Sequence, residues 1–438
     1  MSHDPNRSIT RRDVLKGAAV AGAALVAGPV LGMPSGREPA KRLRFGIIGV
    51  GGKGWSGMEE AARFGDIVAL CDTDARELAR GILQHPRATA FVDYRVMLEA
   101  MKDGLDAVVI STPDHHHGPA AVRSMKLGLH CYCEKPLTHS ISEARLLAKI
   151  AREKKLATQM GNQSTSHSPM RKAAAAISLG EFGHVKEIHL WTDRAGNWWK
   201  QGHKRPPKAN PPKEVAFDLW LGPSPERDYG EGYHPFHWRG WWDFGTGALG
   251  DMGCHIFNMP FMALGCADPV AVQAQTSGHD RDVFPEWAIV QYEFPAKDGR
   301  PAYTLHWYDG GKRPDPALAR EFTYGENGVI VVCEKATIFS PDSNNMEFRV
   351  SGGGSIPEVA FEESPGHMAE FARAALGGQP ARSNFPDYAG KLTETVLLGN
   401  LAIWADGPRV EWDARRMRVP GKPEFDALLR PKFRPGWM

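Results

Sequence analysis

Residues 44–54 read Arg-Phe-Gly-Ile-Ile-Gly-Val-Gly-Gly-Lys-Gly, a short apolar run that enters the spacing Gly49-x-Gly51-x-x-Gly54. A strand precedes the glycines, a helix-compatible run (Trp55–Phe64) follows, and Asp72 closes the next apolar stretch, Ile67–Cys71. In that context each glycine has a purpose. Gly49 permits the tight turn, Gly51 lets backbone approach a pyrophosphate, and Gly54 lets the helix pack against the strand. The phosphates then meet a helix N-terminus, where free N–H groups and the positive dipole end favour anions. Asp72 stands where a carboxylate accepts from the adenosine ribose hydroxyls and repels a 2′-phosphate. The cofactor expected is therefore NAD, with NADP left open.

Working outward, strands and helices alternate from Lys41 to about Met160, the pattern of a doubly wound parallel sheet. Arg44–Ile48, Ile67–Cys71, Thr89–Phe91, Ala107–Ser111, His130–Cys133 and Ala157–Met160 read as strands. Asp74–Leu83, Tyr94–Lys102, Pro119–Leu127 and Ser142–Lys154 read as helices. After a polar stretch and a helix at Met170–Leu179, longer alternating segments follow: Val185–Thr192, Pro269–Gln275, Trp287–Phe294, Ala302–Trp307 and Gly328–Phe339. Their period of two fits a mostly antiparallel sheet with one face covered. The fold class expected is an α/β Rossmann domain followed by an α+β domain with a large, mostly antiparallel sheet. The domains expected are 41–165 and 166–438, preceded by a signal and linker at 1–40.

That leader carries Arg11-Arg12 ahead of a Gly/Ala/Val/Leu run from Gly17 to Met33, interrupted by Pro29. A twin-arginine n-region before a mildly apolar stretch predicts export, to the periplasm, and is too short and too Gly/Ala-rich for a membrane span. The processed protein is expected not to be an integral membrane protein. The twin-arginine route carries folded proteins, so a cofactor loaded in the cytoplasm travels with the enzyme and is expected to be held tightly. A formal charge of +2 over 438 residues gives no reason to expect nucleic-acid binding. Cys71, Cys131 and Cys133 fall on predicted buried strands, where free cysteine behaves as a small hydrophobe. A disulfide through Cys254 or Cys266 stays open.

Residues 194–243 are rich in aromatics, histidine and proline, with Trp198-Trp199 and the run His234-Pro235-Phe236-His237-Trp238-Arg239-Gly240-Trp241-Trp242. Long segments of this kind inside a domain are commonly functional. Trp198, Trp199, His237, Trp238 and Arg239 are candidate substrate contacts, since indoles stack on sugar faces and Arg and His reach hydroxyls. A packed aromatic insert or an oligomer contact reads equally well from the same residues.

Three further motifs complete the pattern: Ser111-Thr112-Pro113-Asp114-His115-His116-His117, Cys133-Glu134-Lys135-Pro136, and Gly250-Asp251-Met252-Gly253-Cys254-His255. In this order they resemble the Gfo/Idh/MocA oxidoreductase family, which includes glucose–fructose oxidoreductase and inositol dehydrogenase, over roughly Leu43 to Val410. The resemblance implies that Lys135 sits between nicotinamide and substrate, with Asp251 and His255 completing the catalytic site. It also implies that Thr112, Pro113, His117 and Glu134 lie at the cofactor. The residues agree with it: a lysine at the C-terminal end of a parallel strand points into the crevice where such sheets bind ligands. Asp251 and His255, four apart on a helix, share a face. His255 is the expected general base, and Asp251 is expected to orient its ring or to bond a substrate hydroxyl. Where the family pattern continues with an acid, this chain has Asn258. Gln163, at the crossover between domains, is a candidate for nicotinamide or substrate contact. Three adjacent histidines cannot all aim at one ion, so no metal is expected.

The expected function is an exported NAD(P)-dependent oxidoreductase acting on a CH–OH group of a small-molecule sugar, polyol or glycoside. The alternatives are a redox-neutral, NAD-dependent glycosidase of the same family, or a non-catalytic NAD- or sugar-binding protein. The resemblance also implies a homo-oligomer, through the open face of the second sheet.

Overall fold

The computed structural model describes residues 42–438, so the twin-arginine segment lies outside the described residues. Six parallel strands form the first sheet: β1 (Leu43–Ile48), β2 (Gly65–Cys71), β3 (Thr89–Phe91), β4 (Ala107–Ile110), β5 (His130–Glu134) and β6 (Thr158–Gly161). Their order is β3-β2-β1-β4-β5-β6, two βαβαβ halves diverging from β1 and β4. The strand order reverses between β1 and β4, and in such sheets the crevice beyond the strand C-termini at that point binds ligands. Ile47, Ile48, Val108, Val109 and Ile110 are fully buried, as apolar strands covered by helices on both faces must be.

The second sheet has eight strands: β7 (Val185–Trp191), β8 (Ala271–Thr276), β9 (Ala288–Phe294), β10 (Tyr303–Tyr308), β11 (Gly328–Cys333), β12 (Thr337–Ser340), β13 (Arg349–Val350) and β14 (Val410–Glu411). Their order is β13-β12-β11-β7-β10-β9-β8-β14, antiparallel except between β7 and β10. One face is core: Val290, Tyr292, Leu305 and Trp307 are buried, while Ile289, Gln291, His306 and Tyr308 on the other face stay partly exposed. Helix Gly390–Ala405 lies against β8 and β9.

Two expectations are corrected here. Gly328–Phe339 is not one strand but a hairpin, with the chain reversing at Glu334–Ala336 so that Val332 pairs with Thr337. The helix expected to start at Pro119 begins instead at Asp114 and carries Pro119 inside it. Proline lacks an N–H and usually opens a helix. Here the extra first turn is tied down by its histidines, described below. All six cysteines are free and buried, which closes the question of a disulfide through Cys254 or Cys266.

Candidate active site

The glycine turn behaves as its spacing predicts. Gly49 has φ +85°, and a Cβ there would lie 2.6 Å from the Ser111 carbonyl oxygen. A Cβ on Gly54 would lie 2.0 Å from the Gly49 carbonyl oxygen, so only glycine lets helix Lys53–Ala62 approach β1 this closely. No side chain caps that helix, which leaves its first N–H groups for an anion. Asp72 Oδ2 accepts from the N–H groups of Val50 (2.7 Å) and Gly51 (3.2 Å), and its Oδ1 accepts from Asp74 (2.9 Å). Burial nevertheless leaves its carboxyl above the ordinary aspartate range, against those backbone bonds. Asp72 thus holds the turn in shape and also lines the cavity beside it. The buried hydroxyls of Ser111 and Thr112 have no protein partner. Obligatory glycines, an uncapped helix start, a carboxylate at the end of β2 and two unpartnered hydroxyls all suit a dinucleotide.

The cavity has a volume of about 630 Å³ and extends from Asp72 past Thr112 and Pro113 to Lys135 and Asp251. At its far end Lys135 Nζ donates to both the carbonyl and the Oδ1 of Asp251, each at 2.8 Å. Arg239 Nε donates to the same Oδ1 at 3.0 Å. Burial alone would raise Asp251, but Lys135 and Arg239 hold its carboxyl far below the usual range. The Arg239 guanidinium is itself sandwiched, 4.2 Å from the Trp238 ring and 4.3 Å from Phe236. Asp114 also lines the cavity, and Thr246 Oγ1 donates to its Oδ2 at 2.6 Å. Burial lifts the Asp114 carboxyl to about 6, opposed by that bond and by Lys135. The peptide bond between Lys135 and Pro136 is cis.

Asp251 is therefore engaged by two cations and is not hydrogen-bonded to the His255 ring, so of its two expected roles the structure does not show the orienting of that ring. His255 Nδ1 is buried with no partner, and the ring does not line the cavity. Burial, then Lys135, push the imidazole down to about 3, so it is neutral at ordinary pH. Helix Gly247–Ile256 ends at Ile256, and Asn258 opens the next helix. Asn258 bonds Ser164, Thr165 and Tyr388, so it serves as an internal brace rather than a charge in the site.

His117 Nδ1 meets the Pro136 carbonyl at 2.7 Å and its Nε2 meets the Thr112 carbonyl at 2.8 Å. It ties the loop after β4 to the loop after β5, the two loops flanking the cavity. Burial lowers it to about 4 against the pull of those carbonyls. Its neighbours reach the aromatic insert: both His115 Nε2 and His116 Nε2 meet the Trp220 carbonyl, and His115 Nδ1 meets that of Phe244. Glu134 is buried and lines the cavity, 3.7 Å from Lys53 Nζ. Gln163 donates to Glu134 (3.0 Å) and Tyr132 (3.2 Å). It braces Glu134, which lines the cavity, while Gln163 itself stands just behind it.

Of the insert residues expected to meet substrate, Trp238 and Arg239 line the cavity and the other three do not. Trp199 is 1% exposed, packs against Ala195, Ala248 and Phe236, and donates to Gln201. Trp198 points to solvent, its ring covered by the Arg194 guanidinium at 3.7 Å. His237 is partly buried outside the cavity. Asp114, Lys53, Trp220, His234 and Trp437, none of them candidates from the sequence, line it as well. Asp114 was visible inside the Ser111–His117 motif as an acid at a helix start. Trp437 gave no local signal.

Residues 43–162 match the model of the Gfo/Idh/MocA oxidoreductase family, NAD-binding Rossmann fold, and residues 167–305 match that of its C-terminal alpha/beta domain. Together they span more than half of the chain. Residues 8–28 match the twin-arginine translocation pathway signal sequence. A glycosyl hydrolase family 109 protein from Shewanella sp. (strain W3-18-1) is 32% identical over 112 residues, 23% of this chain and 24% of that protein. The chain thus spans about a quarter of the length of the curated relatives it matches. The structure is similar to the WlbA dehydrogenase of Bordetella pertussis in complex with NADH and UDP-GlcNAcA. The TM-score is 0.61 at 17% identity, over 85% of this chain and 99% of that one. It is also similar to the aldose-aldose oxidoreductase of Caulobacter crescentus complexed with glycerol (TM-score 0.58, 18% identity, 85% and 100% covered). At such identities these likenesses establish the fold.

Proposed function

We propose, from the premise that this chain belongs to the Gfo/Idh/MocA oxidoreductase family, that it is an exported NAD-dependent enzyme oxidising or reducing a carbinol of a sugar, polyol or glycoside. The observation that carries this reading is the Lys135–Asp251–Arg239 cluster at one end of a cavity whose other end is the Asp72 cradle. When bound, NAD supplies a hydride acceptor at its nicotinamide ring.

The chain's own groups do the rest. Two of the three ammonium protons of Lys135 are committed to Asp251, leaving one for a substrate oxygen. Asp251 fixes that ammonium in place and balances it together with Arg239. His255 is kept as the candidate general base on the family resemblance; its ring is neutral but stands outside the cavity here, so it reaches the hydroxyl proton only by turning toward the substrate. Trp238 and Arg239 present an aromatic surface and guanidinium donors to the substrate, and Asp114 adds a carboxylate beside them. Gly49, Gly51, Gly54, Asp72, Thr112, Pro113, His117 and Glu134 form or brace the cofactor cradle. Residues 41–165 carry that cradle, and 166–438 carry the substrate side and the contact between copies. The half-exposed outer face of the second sheet is the surface on which we place a homo-oligomer.

The twin-arginine signal supports export of a folded, cofactor-loaded protein to the periplasm, where little free NAD would replace what was lost. We therefore infer that NAD is retained from one turnover to the next. The likeness to glycosyl hydrolase family 109 proteins supports a second reading: transient oxidation, elimination of an aglycone and return of the hydride, with no net redox change.

One experiment separates these readings. Protein purified without added nucleotide is examined by absorbance and acid extraction, before and after mixing with sugars and glycosides. Bound NAD that becomes stably reduced with one compound supports the oxidoreductase. Bound NAD with released sugar and no lasting reduction supports the glycosidase. Failure to bind NAD even when it is supplied overturns both.

A further inference from the structure

We propose that Trp437, with the segment Arg434–Trp437 that carries it, completes the cofactor site at its adenosine end, and that NAD leaves only when this segment lifts. The inference rests on the retained-cofactor reading above and gives it a physical cause.

Trp437 is 4% exposed and lines the same cavity as Asp72 and Tyr94. One face of its indole is covered by the Arg95 guanidinium at 3.7 Å, and Tyr94 and His116 meet it edge-on with centroids 5.8 and 5.5 Å away. The ring is thus held in one orientation and contributes an apolar margin to the cavity that Asp72 also lines. An aromatic margin of that kind suits apolar contact with a purine.

The segment is fastened from two sides. Arg123, on helix Asp114–Lys126, donates to the Gly436 carbonyl at 3.0 Å. On the insert side the Arg434 N–H donates to Pro223 (3.1 Å), and its guanidinium donates to Gly222 (3.2 Å) and Asp218. The insert also bonds the chain just beyond Asp72. Ala75 donates to Glu214 and Ala216 donates to Thr73, both at 2.9 Å, directly after Asp72. His234 Nε2 stands 3.6 Å from Asp74 Oδ2. The adenosine end thus lies between two elements distant in sequence, and neither belongs to the parallel sheet. On this proposal, release of the dinucleotide requires one set of these bonds to break.

The test uses the full-length, NAD-loaded protein and follows nucleotide release after dilution into a NAD-consuming enzyme. The variants are Trp437→Ala, Trp437→Phe and Arg434→Ala, the last removing a fastening outside the cavity. Release is expected to quicken on the order of tenfold in Trp437→Ala, to stay near wild type in Trp437→Phe, and to fall between in Arg434→Ala. Circular dichroism and melting of the nucleotide-free proteins show whether each is folded. Wild-type release rates in a folded Trp437→Ala overturn the proposal. If that variant does not fold, wild-type release from Arg434→Ala overturns it. A wild-type protein that loses NAD freely breaks the retention reading instead. In that case a Kd for added NAD weakened by Trp437→Ala still supports the site, and an unchanged Kd removes it.

Discussion

The glycine turn at 49–54 and the aromatic insert at 194–243 were equally conspicuous in the sequence, yet they relate to structure in opposite ways. In the turn, function resides in backbone conformation: at Gly49 and Gly54 a Cβ would collide with the backbone of Ser111 and of Gly49, and at Gly51 with the Glu77 side chain. Spacing alone therefore identifies every participant. In the insert, function depends on which aromatic rings the rest of the molecule leaves uncovered, and that is a tertiary outcome. Trp198 and Trp199 are adjacent in sequence, but one is shielded by Arg194 at the surface and the other is sealed in a core.

That contrast can be broken at several points. Gly54→Ala should have the largest effect: its Cβ would sit 2.0 Å from the Gly49 carbonyl oxygen, and NAD binding measured by calorimetry should disappear. NAD affinity near wild type would show that the turn is as plastic as the insert. Lys135→Ala should lower kcat on the order of a thousandfold while retaining bound NAD, the range for loss of a positioned acid–base group. Trp199→Ala should cost about 3–5 kcal/mol of stability by denaturant titration, as expected for emptying a buried indole site. A loss of substrate affinity without loss of stability would return Trp199 to the substrate side.

Two smaller predictions sharpen the picture. Asp114, raised to about 6, ionises as pH climbs through that value, and only its ionised form helps to balance the Lys135 and Arg239 cations. Oxidation should therefore gain in kcat/KM between roughly pH 5 and 7, and Asp114→Asn should flatten that limb. His255, pushed down to about 3, stays neutral across the range and should contribute no limb near 6.5. Trp198→Ala should change stability by less than about 0.5 kcal/mol and leave kinetics alone, as surface substitutions usually do. A raised KM there would restore the stacking platform first expected.

Legibility of the fold and site followed the same division. Period-two and glycine signals are local, so both sheets were readable, and strand Thr89–Phe91 falls where its residues predict. The break at Glu334–Ala336 was missed because apolar residues flank it on both sides and no turn dipeptide marks it. Lys135 and Asp251 were legible because a strand end and a helix face place them. The partnership between them was not, since helix spacing offers Asp251 only the His255 ring or a substrate hydroxyl as partner. Burial and charge settled otherwise: a lysine arriving from another element competes better for a buried carboxylate than a neutral imidazole does. Trp437 was invisible because nothing near it in sequence refers to the strand ends it covers.

The order of the second sheet has one more consequence. Its two outermost strands, β13 and β14, are only two residues long. A long, flat, unpaired edge is a template for strand addition by another chain, and one routine defence is to make the edge strand very short. Both margins here offer almost nothing to extend, so copies of this chain have little means of polymerising edge to edge. The homo-oligomer proposed above is therefore placed on the face of this sheet and not on its edges.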